Sequence, residues 1–438
     1  MKKAQNVVLW TFMLSCLGTF VVLCGCGGGG DGSDSAAVDS PDPPGTPNPP
    51  GTPNPPPPGD PTWTARAPSV INAAALPGPV DQHYCSGGRR IVRIRDTVLA
   101  LTPDMSGERT YRSSDGVSWE EIDANLAFSG SLISGPGDYV YHFFHSGESV
   151  RMVKYRYQDD PPDPVAIYSN PNVSPTATGV YRSVNAIVDS AGSLYVAAHW
   201  GSPDQMVLLR SDDEGASWSG PFPLSSGPGP WYYPHLELTS DDVLVCVYDR
   251  FTQPTMMFAR SLDRGESWTR TVLNDQDSIR NGSILTVGSS DLFVFAQSTL
   301  SGIQGLVFNH SSDGGNTWDG WSLIDPTCGY ADPSPALGSD GTLYVAYRSS
   351  NGTGVTAAGC GNQTRERVAM SADGGLSWTF PDNHYDAERV GTRSQMRYQT
   401  WFNYGGPLEW IWMQYEGGGA QHRTYYDVND GVEIRNLQ

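Results

Sequence analysis

The sequence predicts an all-β fold assembled from a repeated unit, and three observations support this. A short motif ending in Trp recurs along the chain at a spacing of about 50 residues, and fixed periods of that size mark solenoids and propellers. The 438 residues include 50 Gly and 34 Pro but are only 17% charged, a composition too rich in turn formers for a helical bundle or a doubly wound α/β domain. Aromatic residues reach 11%, with 13 Trp, as expected of many short strands separated by turns. The length suits two or three ordinary domains or one large β-domain.

Charge narrows the partners. The formal net charge is −20 and the isoelectric point is near 4.6, which argues against a nucleic-acid partner, because phosphate binding needs a basic surface. Lys2, Lys3 and Lys154 are the only lysines. Nearly every cation after the leader is therefore arginine, the side chain that forks onto a carboxylate.

Residues 1–26 read as an export signal. Lys2 and Lys3 precede an apolar run from Val7 to Leu23, too short and too terminal for a permanent span. The run ends in Leu23-Cys24-Gly25-Cys26, which resembles the bacterial lipobox and implies Cys26 as the lipidated residue. An ordinary cleaved signal with stray cysteines is the alternative. Residues 27–62 follow as a tether, with Gly27 to Gly30 and a Pro-rich tract from Pro41 to Pro61, and have no means of building a core. The expectation is an exported domain, residues 63–438, anchored to a bacterial membrane by lipid alone and monomeric. Among the remaining cysteines, Cys328 and Cys360 are candidates to bridge within one unit. Cys246 sits in an apolar strand and reads as an inert thiol. Cys85 completes the set, and none has metal-ligand spacing.

Four copies of the repeated motif are complete: Ser211-Asp-Asp213-Glu-Gly215-Ala-Ser217-Trp218, Ser261-Leu-Asp263-Arg-Gly265-Glu-Ser267-Trp268, Ser311-Ser-Asp313-Gly-Gly315-Asn-Thr317-Trp318 and Ser371-Ala-Asp373-Gly-Gly375-Leu-Ser377-Trp378. A fifth, Ser113-Ser-Asp115-Gly116-Val-Ser-Trp119, is one residue shorter. The chemistry is that of a tight turn. The carboxylate accepts backbone N–H groups, Gly supplies a positive φ, and the Trp covers the loop. Asp115, Asp213, Asp263, Asp313 and Asp373 are accordingly read as structural.

This pattern resembles the Asp-box, or BNR, repeat of the sialidase superfamily, over roughly residues 84–438. The resemblance implies a β-propeller of four-stranded antiparallel blades. Apolar runs at Val184–Val188, Leu194–Ala198 and Gln205–Arg210 fit successive strands of one blade. Seven units begin near Tyr84, Gly130, Tyr181, Trp231, Arg280, Tyr330 and Arg397. Sialidases have six blades, so seven units depart from the family; seven blades are favoured here and six remain open. The unit at 130–170 lacks the motif and is either a blade or an insertion.

The family's site lies at the inner-strand ends around the propeller axis. Three arginines clamp the substrate carboxylate, a tyrosine activated by an acidic neighbour attacks the anomeric carbon, and an Asp handles the leaving-group proton. Tyr181-Arg182-Ser-Val is similar to the opening of the blade that bears the first arginine, although Ser183 and Val184 replace Ile-Pro. Asp204, in the following loop, is the candidate for the proton-handling Asp. Tyr330-Ala-Asp332, then Asp340-Gly341, then Arg348 resembles the blade that opens on an acidic residue and ends its second strand in arginine. Arg365 and Arg367 are the candidates for the third clamp. Arg397-Tyr398, with Tyr415-Glu416 ending the next strand, resembles the blade of the nucleophile, which makes Tyr398 its candidate. The order departs from the family, because the acidic/arginine blade and the tyrosine blade are adjacent here. Alignment backwards from Tyr398 would instead assign those roles to Asn281 and Gln297, neither of which can serve.

The resemblance thus implies a sialidase-like exo-glycosidase acting on an acidic sugar. Two other readings stand beside it. One is a non-catalytic propeller that binds glycan or protein through exposed aromatic residues such as Trp231-Tyr232-Tyr233. The other is a polysaccharide lyase acting on uronates with one of His83, His145, His199 or His235 beside Tyr and Arg. No sequence signal points to a metal, a phosphate loop or a Ser-His-Asp site, and no cofactor is expected.

Overall fold

The computed structural model describes residues 69–72, 76–77, 89–104, 107–125, 128–146, 149–159, 162–170, 173, 181–201, 204–229, 231–250, 255–275, 279–300, 303–326, 332–349, 365–381, 401–402, 406–416 and 421–434. Two short strands come first, β1 (Ser69–Val70) and β2 (Leu76–Pro77). The first blade is β3 (Ile91–Ile94), β4 (Thr97–Asp104), β5 (Gly107–Ser113) and β6 (Glu120–Asn125). The second is β7 (Phe128–Gly135), β8 (Tyr139–Ser146), β9 (Ser149–Asp159) and β10 (Pro162–Asn170). The third is β11 (Tyr181–Val188), β12 (Leu194–Trp200), β13 (Gln205–Ser211) and β14 (Ser219–Pro223).

The fourth blade is β15 (Trp231–Leu238), β16 (Leu244–Arg250), β17 (Met256–Ser261) and β18 (Thr269–Asn274). The fifth is β19 (Ile279–Val287), β20 (Asp291–Ser298), β21 (Gly305–Ser311) and β22 (Ser322–Asp325). The sixth is β23 (Ser334–Leu337), β24 (Leu343–Ser349) and β25 (Arg365–Ser371), with a Met370–Thr379 bridge where a fourth strand would run. The seventh joins β26 (Trp401–Phe402), β27 (Gly406–Glu416) and β28 (Gln421–Ile434) to β1 in the order β1-β28-β27-β26, with β2 also on β28. Every sheet pairing is antiparallel.

These sheets make a seven-bladed β-propeller. The first strands contact one another in succession from β3 through β7, β11, β15, β19 and β23 to β26, and β27 returns to β3. The unit at 130–170 is a complete blade. No helix occurs among the described residues. The N-terminal strand β1 closes the ring by supplying the outer strand of the last blade, with Ser69 opposite Tyr426 and Val70 opposite Tyr425.

The recurring Asp motif forms the turn from third to fourth strand. In the third blade Asp213 Oδ1 accepts Ser217 N at 2.8 Å and Ser211 Oγ at 2.8 Å, while Oδ2 accepts Ser217 Oγ at 2.5 Å. Asp263, Asp313 and Asp373 repeat these bonds. Asp115, in the shorter copy, accepts Val117 N and Ser118 N. The same turn clasps the preceding blade. Gly215 has φ 90°, and a Cβ there would lie 2.4 Å from Met152 Cε of the second blade. Trp218 meets Phe143 of that blade edge-on at 5.7 Å, as Trp318 meets Phe258 at 5.1 Å. Apolar cores therefore fill the seams between blades. Cys246 lies fully buried in one of them, its thiol pushed up by burial.

Candidate functional site

Antiparallel order places the starts of first strands and the ends of second strands at one end of the propeller, opposite the Asp turns. The first strands share a local irregularity at that end. Their registers shift between Phe128 and Ser131, Arg182 and Asn185, Tyr232 and His235, and Arg280 and Ser283. Such bulges re-aim side chains. Tyr233 and Asn281 occupy the same bulge position in successive blades with φ 57° and 55°, and Asp332, just before β23, has φ 43°. Left-handed backbone at non-glycine residues is costly and clusters at functional sites.

The second strands of the third, fourth and fifth blades each place a polar residue next to last. His199 stands opposite Arg182, Asp249 opposite Tyr232, and Gln297 opposite Arg280. All three are buried. His199 Nε2 lies 2.6 Å from Asp204 Oδ1, with the His199 side chain 4% exposed and that of Asp204 43%. Asp204 is itself left-handed, with φ 62°, and its carbonyl accepts Gly229 N at 2.6 Å. The arrangement is a carboxylate presented to solvent and backed by a buried imidazole.

Asn281 links two further carboxyl groups. Its backbone N–H donates to Asp249 Oδ2 at 2.5 Å, and its Nδ2 donates to Asp332 Oδ1 at 2.8 Å. Burial raises the Asp249 carboxyl to about 7, outweighing the Asn281 amide and the Arg280 charge, both of which favour ionisation. Asp249 is therefore protonated below about 7 and ionises above it.

A second polar cluster fills the centre. Arg89 Nη2 pairs with Glu237 Oε1 at 2.7 Å, and Arg90 Nη1 with Glu108 Oε1 at 2.5 Å, all four residues being buried. Glu108 Oε1 also accepts Gly130 N, and His142 Nε2 lies 3.6 Å from Oε2. Burial opposes ionisation of Glu108, but Arg90, His142 and the Gly130 amide hold it at about 2. Burial, aided by Arg89, lowers His235 to about 3. Its Nδ1 accepts Ile284 N at 2.7 Å across the seam to the next blade. His235 is thus a neutral structural histidine.

The structure sets Arg182 opposite His199 in strand register, holds His199 against Asp204, and sets Asp332 beside Asn281. Arg182, Arg348 and Arg365 are placed by strand position: Arg182 stands opposite His199, and Arg348 and Arg365 lie where β24 ends and β25 begins. Arg367 is committed elsewhere. Its Nη1 donates to Asp325 Oδ2 at 2.7 Å and its guanidinium lies 5.1 Å from the Phe380 ring centroid. Tyr398, Cys26, Cys85, His83, Cys328 and Cys360 lie outside the described residues. Trp231 is buried rather than exposed, donating its Nε1–H to Gly227 O and facing the Arg250 guanidinium at 5.3 Å. Its burial removes it as a sugar-stacking platform.

The same end of the strands carries three carboxyl groups, Asp204, Asp249 and Asp332, more than a bare arginine clamp would. Asp249 went unnoticed in the sequence, yet a signal existed. His199 and Asp249 each stand twelve residues before the motif serine, Ser211 and Ser261.

No family model matches the sequence, and no curated protein is similar to it. Solved structures of similar fold include a polysaccharide lyase, an ulvan lyase bound to -[GlcA(1-4)Rha3S]-, at 12% identity and TM-score 0.55, covering 83% of this chain and 95% of that one. The polysaccharide lyase Uly1 follows at 12% identity and TM-score 0.51, covering 84% and 94%. The Hadza microbial sialidase Hz136 has 14% identity and TM-score 0.46, covering 75% and 74%. At such identities the likeness is one of fold, and the fold is that of a seven-bladed β-propeller.

Proposed function

We propose that this propeller, exported and held to a membrane by lipid at Cys26, binds a glycan through an acidic sugar and hydrolyses its glycosidic bond. The observation that carries the reading is the grouping of Arg182, His199 and Asp204 at one strand end. An arginine suits the sugar carboxylate. A solvent-facing carboxyl held by a buried imidazole is placed to give a proton to the leaving oxygen and later to take one from water. With Arg367 committed to Asp325, the clamp falls to Arg182, Arg348 and Arg365. Tyr398 is the nucleophile in this reading, its proton passing to Asp332 as its oxygen bonds the anomeric carbon. Water then displaces the tyrosine.

Release of 4-methylumbelliferone from its sialoside is the direct assay. Wild type should be active, Tyr398→Phe inactive, and Asp204→Asn strongly impaired. Activity unaffected by both changes would refute the assignment.

The register of His199 against Arg182 favours a second reading, β-elimination on a uronate polymer, with the imidazole as base and the arginine neutralising the carboxylate. The presence of glucuronate in the ligand of the similar ulvan lyase is in line with an acidic polymer. Elimination leaves an unsaturated, ultraviolet-absorbing product and hydrolysis does not, so the product separates the two. Binding of acidic glycan without turnover would leave a lectin-like propeller.

A further inference from the structure

The three polar residues that end the second strands differ in how they are answered. His199 meets Asp204. Asp249 and Gln297, 6% exposed each, keep a buried atom without a hydrogen-bond partner, Oδ1 and Oε1 respectively. Asp249 Oδ2 accepts the Asn281 amide and the Gly282 amide also acts on the carboxyl, so the neutral acid would carry its proton on Oδ1, which has no hydrogen-bond acceptor. Buried polar atoms are nearly always paired, and two unpaired atoms at the same register of adjacent blades, at the end of the fold that carries Asp204, mark a place where a ligand would complete them. An amide and a neutral carboxyl together suit the hydroxyl, ring and carboxylate oxygens of a sugar.

We propose that the fourth and fifth blades form a sugar subsite in which Asp249, as a neutral acid, donates through Oδ1 to an oxygen of an acidic sugar and Gln297 engages the same sugar through its amide. This rests on the reading of the axial end as an acidic-sugar site. It also explains how an anion is tolerated beside Asp204 and Asp332: Asp249 adds no charge while it keeps its proton. Three strands set described residues against it. β15 sets Tyr232 opposite, β17 sets Met256, and β19 brings Arg280, Asn281 and Gly282. Asn281 also links it to Asp332, and Arg250 follows on its own strand. Arg280 is the charge that acts on it. Because the sugar stays ionised while Asp249 titrates, affinity should fall as Asp249 ionises.

Calorimetric titration of the full chain with N-acetylneuraminic acid and with glucuronic acid, across a pH series from about 5 to about 9, tests this. For the acid that binds, Kd should rise about tenfold per pH unit above about 7. Asp249→Asn should bind with a Kd that no longer changes with pH, and Gln297→Leu should weaken binding tenfold or more at every pH with an unchanged melting temperature. A pH-independent wild-type Kd, a slope that survives Asp249→Asn, or full affinity in Gln297→Leu would overturn the subsite while leaving the acidic-sugar reading intact. If wild type binds neither acid at any pH, that reading fails and takes the subsite with it.

Discussion

Arg89 and Glu237, separated by 148 positions in sequence, form a buried ion pair at 2.7 Å. Arg89 precedes the inner strand of the first blade and its carbonyl accepts Leu132 N of the second, whereas Glu237 lies on the inner strand of the fourth. The first and fourth blades are not neighbours in a ring of seven, so the pair spans the central channel. Breaking a buried pair from one side leaves an uncompensated charge. Glu237→Ala should therefore lower unfolding free energy by about 3–5 kcal/mol in denaturant titrations, a large loss for any domain.

The Asp turns make a local prediction. Asp263→Ala removes the acceptor of Ser267 N, Ser267 Oγ and Ser261 Oγ. Unfolding should become easier by about 1–2 kcal/mol, read in urea. Glycan binding should be unchanged, because this turn lies at the end of the blade remote from Asp204.

The acid limb of stability should report Glu108. Its folded value of about 2 lies below the ordinary 4.5. A depressed carboxyl stabilises the fold fully above its unfolded value, and that contribution is lost as pH falls from about 4.5 towards 2. Glu108→Gln should flatten this limb and lower stability at neutral pH, since the buried Arg90–Glu108 ion pair is lost.

Asp249 has the opposite sign. Its folded value of about 7 exceeds the ordinary 3.8, so the native state holds a proton that the unfolded chain has released. Stability should fall as pH rises from about 4 to 7 and then level off, by a total on the order of 4 kcal/mol. In Asp249→Asn this slope should vanish. A wild-type slope unchanged in the variant would show that Asp249 is ionised in the fold.

Much of the architecture was legible in the sequence, because the Asp turn binds its own backbone within a few residues and so leaves a local signature. The blade openings expected near Gly130, Tyr181, Trp231 and Arg280 fall within a few residues of β7, β11, β15 and β19. The second blade lacks the turn and left its status open. It is held instead by long strands and by contacts such as Tyr141 stacked on Phe143. The site was harder to read. His199 and Asp204 are five residues apart, yet only the strand pairing shows that one backs the other. Asp249, Asn281 and Asp332 come from three successive blades, and only the packing of neighbouring blades joins them. Trp231 misled because a Trp-Tyr-Tyr run suggests an aromatic surface, whereas strand alternation turns its first ring into the seam against Tyr248.

The closing blade has a mechanical corollary. Its outermost strand, Ser69–Val70, is two residues long and is pinned by pairing with Tyr426 and Tyr425 and by the bond from Trp119 Nε1 to Ser69 Oγ at 3.0 Å. A pull on the chain upstream of Ser69 would load this short seam first, before any interior blade. The propeller would then open by peeling at its clasp, and the force at which it yields would be set by a few bonds at the rim rather than by the whole core.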